Sequence, residues 1–397
     1  MQAAERDLPV VVAGAGLAGL AAGATAALAG ARVIILESSL PGGRARTQMR
    51  DGFQFNQGPH ALYRHGPGSR VLSRLGVATH GHAAPLRTAQ ALIAGTPQPF
   101  PTAQNAKVVA KVAAAIPHEW AGASAAEWIE SSGFRGDTAM LAAASVRVTT
   151  YVADLDRLPA SLALTQMQTA LRGVFYLDGG WQQLIRGLAA TTSAAGAEIR
   201  PHCRVEQLAG KPGAWEVHTP SEVIRAAAVV IAVGRPTAAA RLLPAGLRSE
   251  STGPPVIAAC LDLGLQDADA RFVLGIDQPL YMSPHAPPGD LAPGGCGLVH
   301  LMRYGTTDAV ADRETLWAFA TATGIQRDDV LIERFLPRLT VAHHLPSPRH
   351  GLAGRAAVVV PGSPGVFIAG DWVGSEGWLA DCSLTSGERA GLLAART

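Results

Sequence analysis

Lysine is nearly missing from this chain: only Lys107, Lys111 and Lys211 occur in 397 residues. Positive charge is therefore almost all arginine, and the formal net charge is only +2. That balance gives no reason to expect nucleic acid or a strongly acidic partner. Cysteine is scarce too. Cys203, Cys260, Cys296 and Cys382 lie far apart and form no CxxC pair. This argues against a disulfide framework and against a metal site, and it points to a reducing, cytoplasmic compartment. No Ser-His-Asp nucleophile motif, P-loop or HExxH is present. Charged residues make up 16% and apolar residues 48%, a globular balance that excludes disorder. The length suits two domains and a sizeable core. Residues Met1 to Asp7 are mixed in charge and run into a strand, unlike a signal peptide. The longest apolar run, Val10 to Leu36, has the length of a membrane span. Glycines at 14, 16, 19, 23 and 30, with Arg32, fit a buried strand, a turn and a buried helix better.

That run contains the most informative motif. Pro9 to Ala13 is β-branched and apolar, as a central parallel strand should be. Gly14-Ala15-Gly16-Leu17-Ala18-Gly19 fits GxGxxG and opens an Ala-rich helix to about Ala29, with Gly30 placed to cap it. A second strand, Arg32 to Leu36, ends in Glu37. Each glycine has its own physical role. Gly14 permits the tight turn, Gly16 lets backbone approach a pyrophosphate, and Gly19 lets helix pack on strand. Leu17 and Ala18 complete the first helical turn, whose free N–H groups and partial positive charge suit phosphate. Glu37 stands where a carboxylate accepts hydrogen bonds from ribose hydroxyls, and it disfavours a 2′-phosphate.

The residues after Glu37 shift the expectation from NAD to FAD. In Ser38-Ser39-Leu40-Pro41-Gly42-Gly43-Arg44-Ala45-Arg46, the backbone at Gly43 and the guanidinia of Arg44 and Arg46 can wrap a second face of the pyrophosphate. This run resembles that of the flavoprotein superfamily containing flavin amine oxidases, protoporphyrinogen oxidases and phytoene desaturases. Gly365 to Asp371 resembles the family strand ending in Gly-Asp. The resemblance implies that Gly370 and Asp371 meet a flavin pyrophosphate or ribityl hydroxyl. Gly377-Trp378-Leu379-Ala380-Asp381-Cys382 looks like the loop and helix start beneath the isoalloxazine, which would place Trp378, Leu379 and Cys382 near the ring. Asp178 to Leu184 resembles the turn that returns the chain to the cofactor domain. Val205 stands where the family contacts adenine through a valine backbone. Phe55-Asn56-Gln57-Gly58-Pro59-His60 and Arg334 to Thr340 are closest to the phytoene-desaturase-like branch, so Gly58, Pro59 and His60 join the implied site, as does Ser38 from the run after Glu37.

Two departures from the family pattern matter. No lysine stands where amine oxidases place one near flavin N5. No cysteine precedes the Gly365–Asp371 strand, where covalently flavinylated members carry theirs. The implied cofactor is therefore non-covalent FAD. The chain is also shorter than typical carotenoid desaturases.

The expected fold is α/β: a discontinuous Rossmann-like FAD-binding domain (1–75, 181–250 and 351–397) with an interposed α+β substrate domain (76–180 and 251–350). The first insert reads as helical, with Lys107–Ile116 at helical spacing and a Ser124–Glu127 capping box closed by Gly133. The second reads as a strand from Pro255 to Leu263, a turn-rich Ser283–Gly297, a strand Gly297–Arg303 and a short helix Thr315–Thr323. Such apolar strands would roof a pocket for an apolar small molecule. Lys107 and Lys111 share a helix with Val108, Val109 and Val112; a peripheral membrane contact is less favoured than an ordinary solvated face. His343 and His344 are adjacent and would face opposite ways on a strand, which disfavours a metal pair.

A flavin carries most of its own chemistry. The expected reaction moves a hydride from an apolar substrate, isoprenoid or polycyclic, to flavin N5, with oxygen, a quinone or a carrier taking the electrons. His60 is the candidate base, against the reading that Pro59-His60 only shapes a turn. Cys382 reads as a packing residue. The rivals are a flavin-dependent isomerase without net redox change, a flavin amine oxidase, and a flavin-free prenyl-binding escort protein; intact Gly14, Gly16, Gly19, Glu37 and Asp371 argue against the last.

Overall fold

A computed structural model describes residues 8–243 and 253–397. The N-terminal segment 1–7 and the domain boundary at 250 lie outside the described residues. Five parallel strands form the cofactor sheet, ordered Glu198–Arg200, Val33–Leu36, Val10–Ala13, Ala228–Ile231 and Val366–Ile368. In chain order this is third, second, first, fourth, fifth, the doubly wound arrangement whose crevice opens at the carboxyl ends of the strands. Val10–Ala13 is buried along its whole length, which explains its lack of polar alternation. The fingerprint helix Leu17–Leu28 is buried from Leu17 to Ala27. It packs against the C-terminal helix Ala380–Ala394, and only small residues permit the approach. A Cβ at Gly387 would lie 2.3 Å from the Ala18 carbonyl oxygen, and one at Gly391 2.3 Å from that of Ala22.

The inserted segments build a seven-stranded sheet, ordered Val330–Ala342, Val256–Leu265, Gly297–Tyr304, Leu280–Ala286, Val273–Gly275, Gln90–Ile93 and Thr96–Pro99. Helices Thr102–Ala114, Ala125–Ser131, Asp137–Thr150 and Ala160–Leu171 share a core with one face, while helix Ala309–Ala322 packs on the other. The Ser124–Glu127 capping box is present, and Gly133 has a φ of +78°.

Three expectations need correction. The first insert is not wholly helical: strands Gln90–Ile93 and Thr96–Pro99 extend the sheet at its edge, where Pro97 and Pro99 forfeit little because an edge needs fewer donors. Ser283 to Ala286 belongs to a strand, with the register shift at Pro284–Ala286 absorbing the proline; the turns begin after it. The helix expected at Thr315–Thr323 starts at Ala309, because Asp308 accepts the Val310 and Ala311 N–H groups at 2.9 and 3.1 Å.

Candidate functional site

The dinucleotide turn is shaped by what its glycines permit. Gly14 has a φ of +105°, and a Cβ there would lie 2.5 Å from the Ala232 carbonyl oxygen. A Cβ on Gly19 would fall 1.8 Å from the Gly14 carbonyl oxygen. Gly16 differs: a Cβ would meet nothing within 4 Å. Gly43 faces it, its own Cβ position 3.7 Å from the Gly16 Cα, and the Gly42 N–H donates to the Ala15 carbonyl at 2.8 Å. Two glycine turns thus enclose an open cradle at a helix N-terminus, the setting a pyrophosphate requires. Glu37 is drawn to this turn: it accepts the Ala15 N–H at 2.8 Å and the Ser39 N–H and Ser38 hydroxyl at 3.0 and 3.1 Å. Val205 is half-buried in the loop beside it, where the Cys203 N–H donates to the Glu37 carbonyl at 2.8 Å. Arg46 is exposed at the rim.

Arg44 and Asp371, expected separately along a cofactor, meet each other. The Arg44 guanidinium sits 2.8 Å from the Asp371 carboxylate and donates to the Thr340 and Val341 carbonyls at 3.2 and 3.1 Å. His343 adds its backbone N–H at 2.9 Å and Nδ1 at 2.8 Å to the same carboxylate. Burial alone would raise the Asp371 pKa; Arg44 and His343 outweigh it and hold the carboxyl well below its ordinary range. Gly370 is fixed by donating its N–H to the Ser386 hydroxyl at 3.0 Å. His344 turns the other way and accepts the Gly253 N–H at 3.0 Å, both histidines lying past the end of strand Val330–Ala342 and not on a strand as expected.

From the fingerprint turn a cavity runs into the substrate domain. Leu17, Arg44, Pro59 and His60 line one end, and Tyr63, Tyr151, Trp181, Met302, Trp378 and Leu379 continue it. Its aromatic wall is tied to a helix end. The last carbonyls of Asp137–Thr150 lack intrahelical partners. Tyr63 donates its hydroxyl to the Thr149 carbonyl at 3.1 Å, and Trp378 its Nε1–H to that of Thr150 at 3.0 Å. Tyr151 follows in the left-handed region with a φ of +63°. Gly58, with a φ of +83°, turns the chain so that His60 reaches the wall. The His60 Nδ1–H donates to the Gly58 carbonyl at 2.8 Å, and the ring packs edge-on against Trp181, 4.8 Å between centroids. Burial, aided by His300, Arg44 and Arg334 and opposed by the Gly58 carbonyl, pushes its pKa down to about 4. His60 is therefore neutral, with Nε2 free to accept a hydrogen bond. Cys382 lies behind the wall, its Sγ donating to the Val373 carbonyl at 3.1 Å, and burial pushes its thiol up to about 11. It packs; it is not a poised thiolate.

Several wall and support residues escaped the sequence reading. Asp381, 3% exposed, lines the cavity. Behind Met302 lies a charged cluster. Asp262 bonds His300 Nδ1 at 2.5 Å and accepts from Arg334 Nε at 2.7 Å and Cys260 Sγ at 3.1 Å. Arg334 also donates to the Asn56 carbonyl. The Asn56 side chain in turn accepts the Trp181 N–H at 2.9 Å, so the cluster braces the ring beside His60. Cys260, Asp262 and His300 could converge on a metal ion. Arg334 already neutralises that carboxylate and would repel a second cation. The signal for this cluster was an acid inside the apolar strand Val256–Leu265.

The three lysines are all exposed on the outer surface, none of them in the cavity wall. No helix among the described residues is long and apolar enough to cross a membrane.

Comparison with known proteins agrees with this geometry. The profile of the flavin containing amine oxidoreductase family matches residues 17–259, more than half of the chain. No curated protein matches by sequence. An oxidoreductase from Methanosarcina mazei superposes with a TM-score of 0.76 over 96% of this chain and 99% of its own, at 19% identity. A Pyrococcus furiosus protein gives 0.75 over 98% and 97%, at 18% identity. Cyclohexylamine oxidase from Brevibacterium oxydans gives 0.70 over 98% of each chain, at 15% identity. Such identities speak for the fold, while the profile match speaks for descent. With the open glycine cradle and the cavity that leads from it, they establish that this chain belongs to the flavin containing amine oxidoreductase family and is an FAD-dependent oxidoreductase.

Proposed function

We propose that this enzyme oxidises an apolar small molecule, isoprenoid or polycyclic, as a dehydrogenase, desaturase or oxidase of the phytoene-desaturase-like branch. The cavity wall carries this reading: Leu62, Tyr63, Tyr151, Trp181, Met302 and Trp378 offer rings and aliphatic surface, and no lysine. An apolar lining with a few placed polar groups selects an apolar ligand and orients it. Gly14, Gly16, Gly19, Gly43 and Glu37 would hold the ADP half of FAD, with Leu17, Ala18 and Val205 packed beside it. Arg44, Arg46, Gly370 and Asp371 would serve its middle, and Gly58, Pro59, Trp378 and Leu379 its ring. FAD supplies the hydride acceptor, N5. The chain's own residues exclude water with aromatic faces and offer His60 Nε2 as a neutral acceptor. Oxygen, a quinone or a protein carrier would take the electrons away.

The test is anaerobic mixing of FAD-loaded protein with two compound sets. One holds isoprenoid and polycyclic hydrocarbons; the other holds cyclohexylamine and putrescine, the latter named for a structurally similar oxidase. Bleaching of the flavin by the first set alone supports the proposal. Bleaching by the amines alone overturns it in favour of an amine oxidase. Conversion of a hydrocarbon with the flavin left oxidised and no acceptor consumed overturns it in favour of an isomerase. Heat should release the FAD intact, since Cys382 is buried behind the wall as a protonated thiol.

A further inference from the structure

Asp381 is the one carboxyl among the described residues lining the cavity. Its surroundings are shaped to receive that group. The segment Gly66–Gly68 comes so close that a Cβ on Gly66 or Gly68 would lie 2.4 Å from a carboxyl oxygen. Oδ1 accepts the Gly68 N–H at 3.1 Å. Oδ2 is buried and has no hydrogen-bond partner among the described residues. A buried polar atom left without a partner costs stability and calls for a reason. A group that exchanges a proton with the contents of the cavity supplies one.

The other titratable wall groups are poorly suited to that role. His60 spends Nδ1–H on Gly58 and is held neutral by burial. Burial pushes the Tyr63 and Tyr151 phenols above their ordinary value. Arg44 is paired with Asp371. Around Asp381, burial is the largest influence and pushes its pKa up to about 7. The Gly68 N–H and Arg70 pull it down, and Glu376 pushes it up. Arg70 and Glu376 pair with each other at 3.3 Å, so their opposite influences largely offset. Tyr63 and Cys382, the remaining titratable neighbours, are neutral in this range.

We infer that Asp381 is the proton-exchanging residue of the cavity, taking the proton that leaves when the substrate is oxidised. Two-electron oxidation removes a hydride and a proton. The hydride carries its electron pair to FAD. The proton forms an O–H bond at Asp381 Oδ2, and the electron pair of the broken bond stays behind as the new double bond of the product. Asp381 then returns the proton to solvent. The inference rests on the proposed oxidation taking place in this cavity.

The test needs no substrate. Protein loaded with FAD and isotope-labelled aspartate is titrated by infrared spectroscopy. It is then photoreduced with a deazaflavin and EDTA at about pH 8, above the carboxyl's midpoint. Reduced FAD carries negative charge, which favours the protonated form of a neighbouring carboxyl. The expected result is a protonated-carboxyl band that titrates at about 7 and grows on reduction. Proton uptake per flavin should exceed that of D381N, in which the band is missing. A band that does not change on reduction, or one that persists in D381N, overturns the assignment. The wild-type measurement stands even where D381N fails to hold FAD. Protein that binds no FAD at all defeats the oxidoreductase reading itself, whereas bound FAD without a titrating carboxyl defeats this inference alone.

Discussion

The three fingerprint glycines should respond to substitution in opposite ways, although sequence alone treats them alike. Gly16 has a φ of −79° and a ψ of −173°, which any residue adopts, and its Cβ position is empty. Gly16→Val should therefore leave the apoprotein within about 0.5 kcal/mol of wild type. The new side chain occupies the cradle, however, and blocks the close approach of a pyrophosphate. Losing one charged hydrogen bond costs about 1.5–3 kcal/mol, which is roughly ten- to a hundredfold in the Kd for FAD. Gly19→Ala must instead move a Cβ away from a carbonyl oxygen 1.8 Å distant. Overpacking on this scale costs about 3 kcal/mol or more, because both atoms belong to fixed backbone. Gly14→Ala adds an unfavourable φ of +105° to a 2.5 Å clash and should be similarly damaging. Denaturant melts of the apoproteins read the first quantity, and quenching of FAD fluorescence reads the second. If Gly16→Val binds FAD within about threefold of wild type, the pyrophosphate does not lie on this turn. If Gly19→Ala is as stable as wild type, the packing argument is wrong.

Other consequences are equally open to measurement. Asp262→Asn leaves Arg334 and His300 buried without their carboxylate and should cost about 3–5 kcal/mol in urea unfolding, whereas replacing all three by Leu and Met should recover most of it; a loss under about 1 kcal/mol for the single change would show that the cluster is not closed. The Asp371 carboxyl has a folded pKa below its unfolded value, so its contribution is present above about pH 4 and is lost as pH falls further. Melting temperature should thus fall more steeply below about pH 4 in wild type than in D371N. Asp381 has the opposite sign. Its folded pKa is raised from 3.8 to about 7, so stability declines as pH rises through that window, by about 4 kcal/mol at 1.36 kcal/mol per unit. D381N should remove this slope, and a variant with unchanged pH dependence would refute the assigned burial cost.

The cofactor half of the fold was legible because its information is local. Strand, glycine turn, helix, second strand and Glu37 come one after another within thirty or so residues, and every piece falls where its residue types require. The distant Gly370–Asp371 segment was legible only through resemblance, since nothing near it states that Val366–Ile368 lies beside Ala228–Ile231. The cavity was largely hidden. Tyr63 and Trp378 come beside Tyr151 where the end of helix Asp137–Thr150 gathers their polar tips, a meeting that no sequence period encodes. Asp381 read as one more polar residue at a helix start; its meaning depends on Gly66 and Gly68, more than three hundred residues earlier. Asp262 was readable in principle, as a charge within an otherwise apolar strand, but its partners on two other strands were not.

The seam between the fingerprint helix and the C-terminal helix bears on how such an enzyme can change its substrate. At Gly387 and Gly391 the two backbones meet without intervening side chains, so the pair behaves as a single ruler. The helices run parallel, so both start on the same side of that ruler: the fingerprint helix begins at the dinucleotide turn, level with Gly387, and the C-terminal helix begins further out, at Leu379 and Asp381 in the cavity wall. The span between these two starts is thereby set by main-chain contact and cannot be tuned by side-chain exchange. The opposite wall, with Met302 and Leu339 on strands of the inserted sheet, is held to the glycine turns through a side chain, Arg44, which donates to the Thr340 and Val341 carbonyls. New specificities are therefore to be sought by rewriting those strands, with the seam left as it stands.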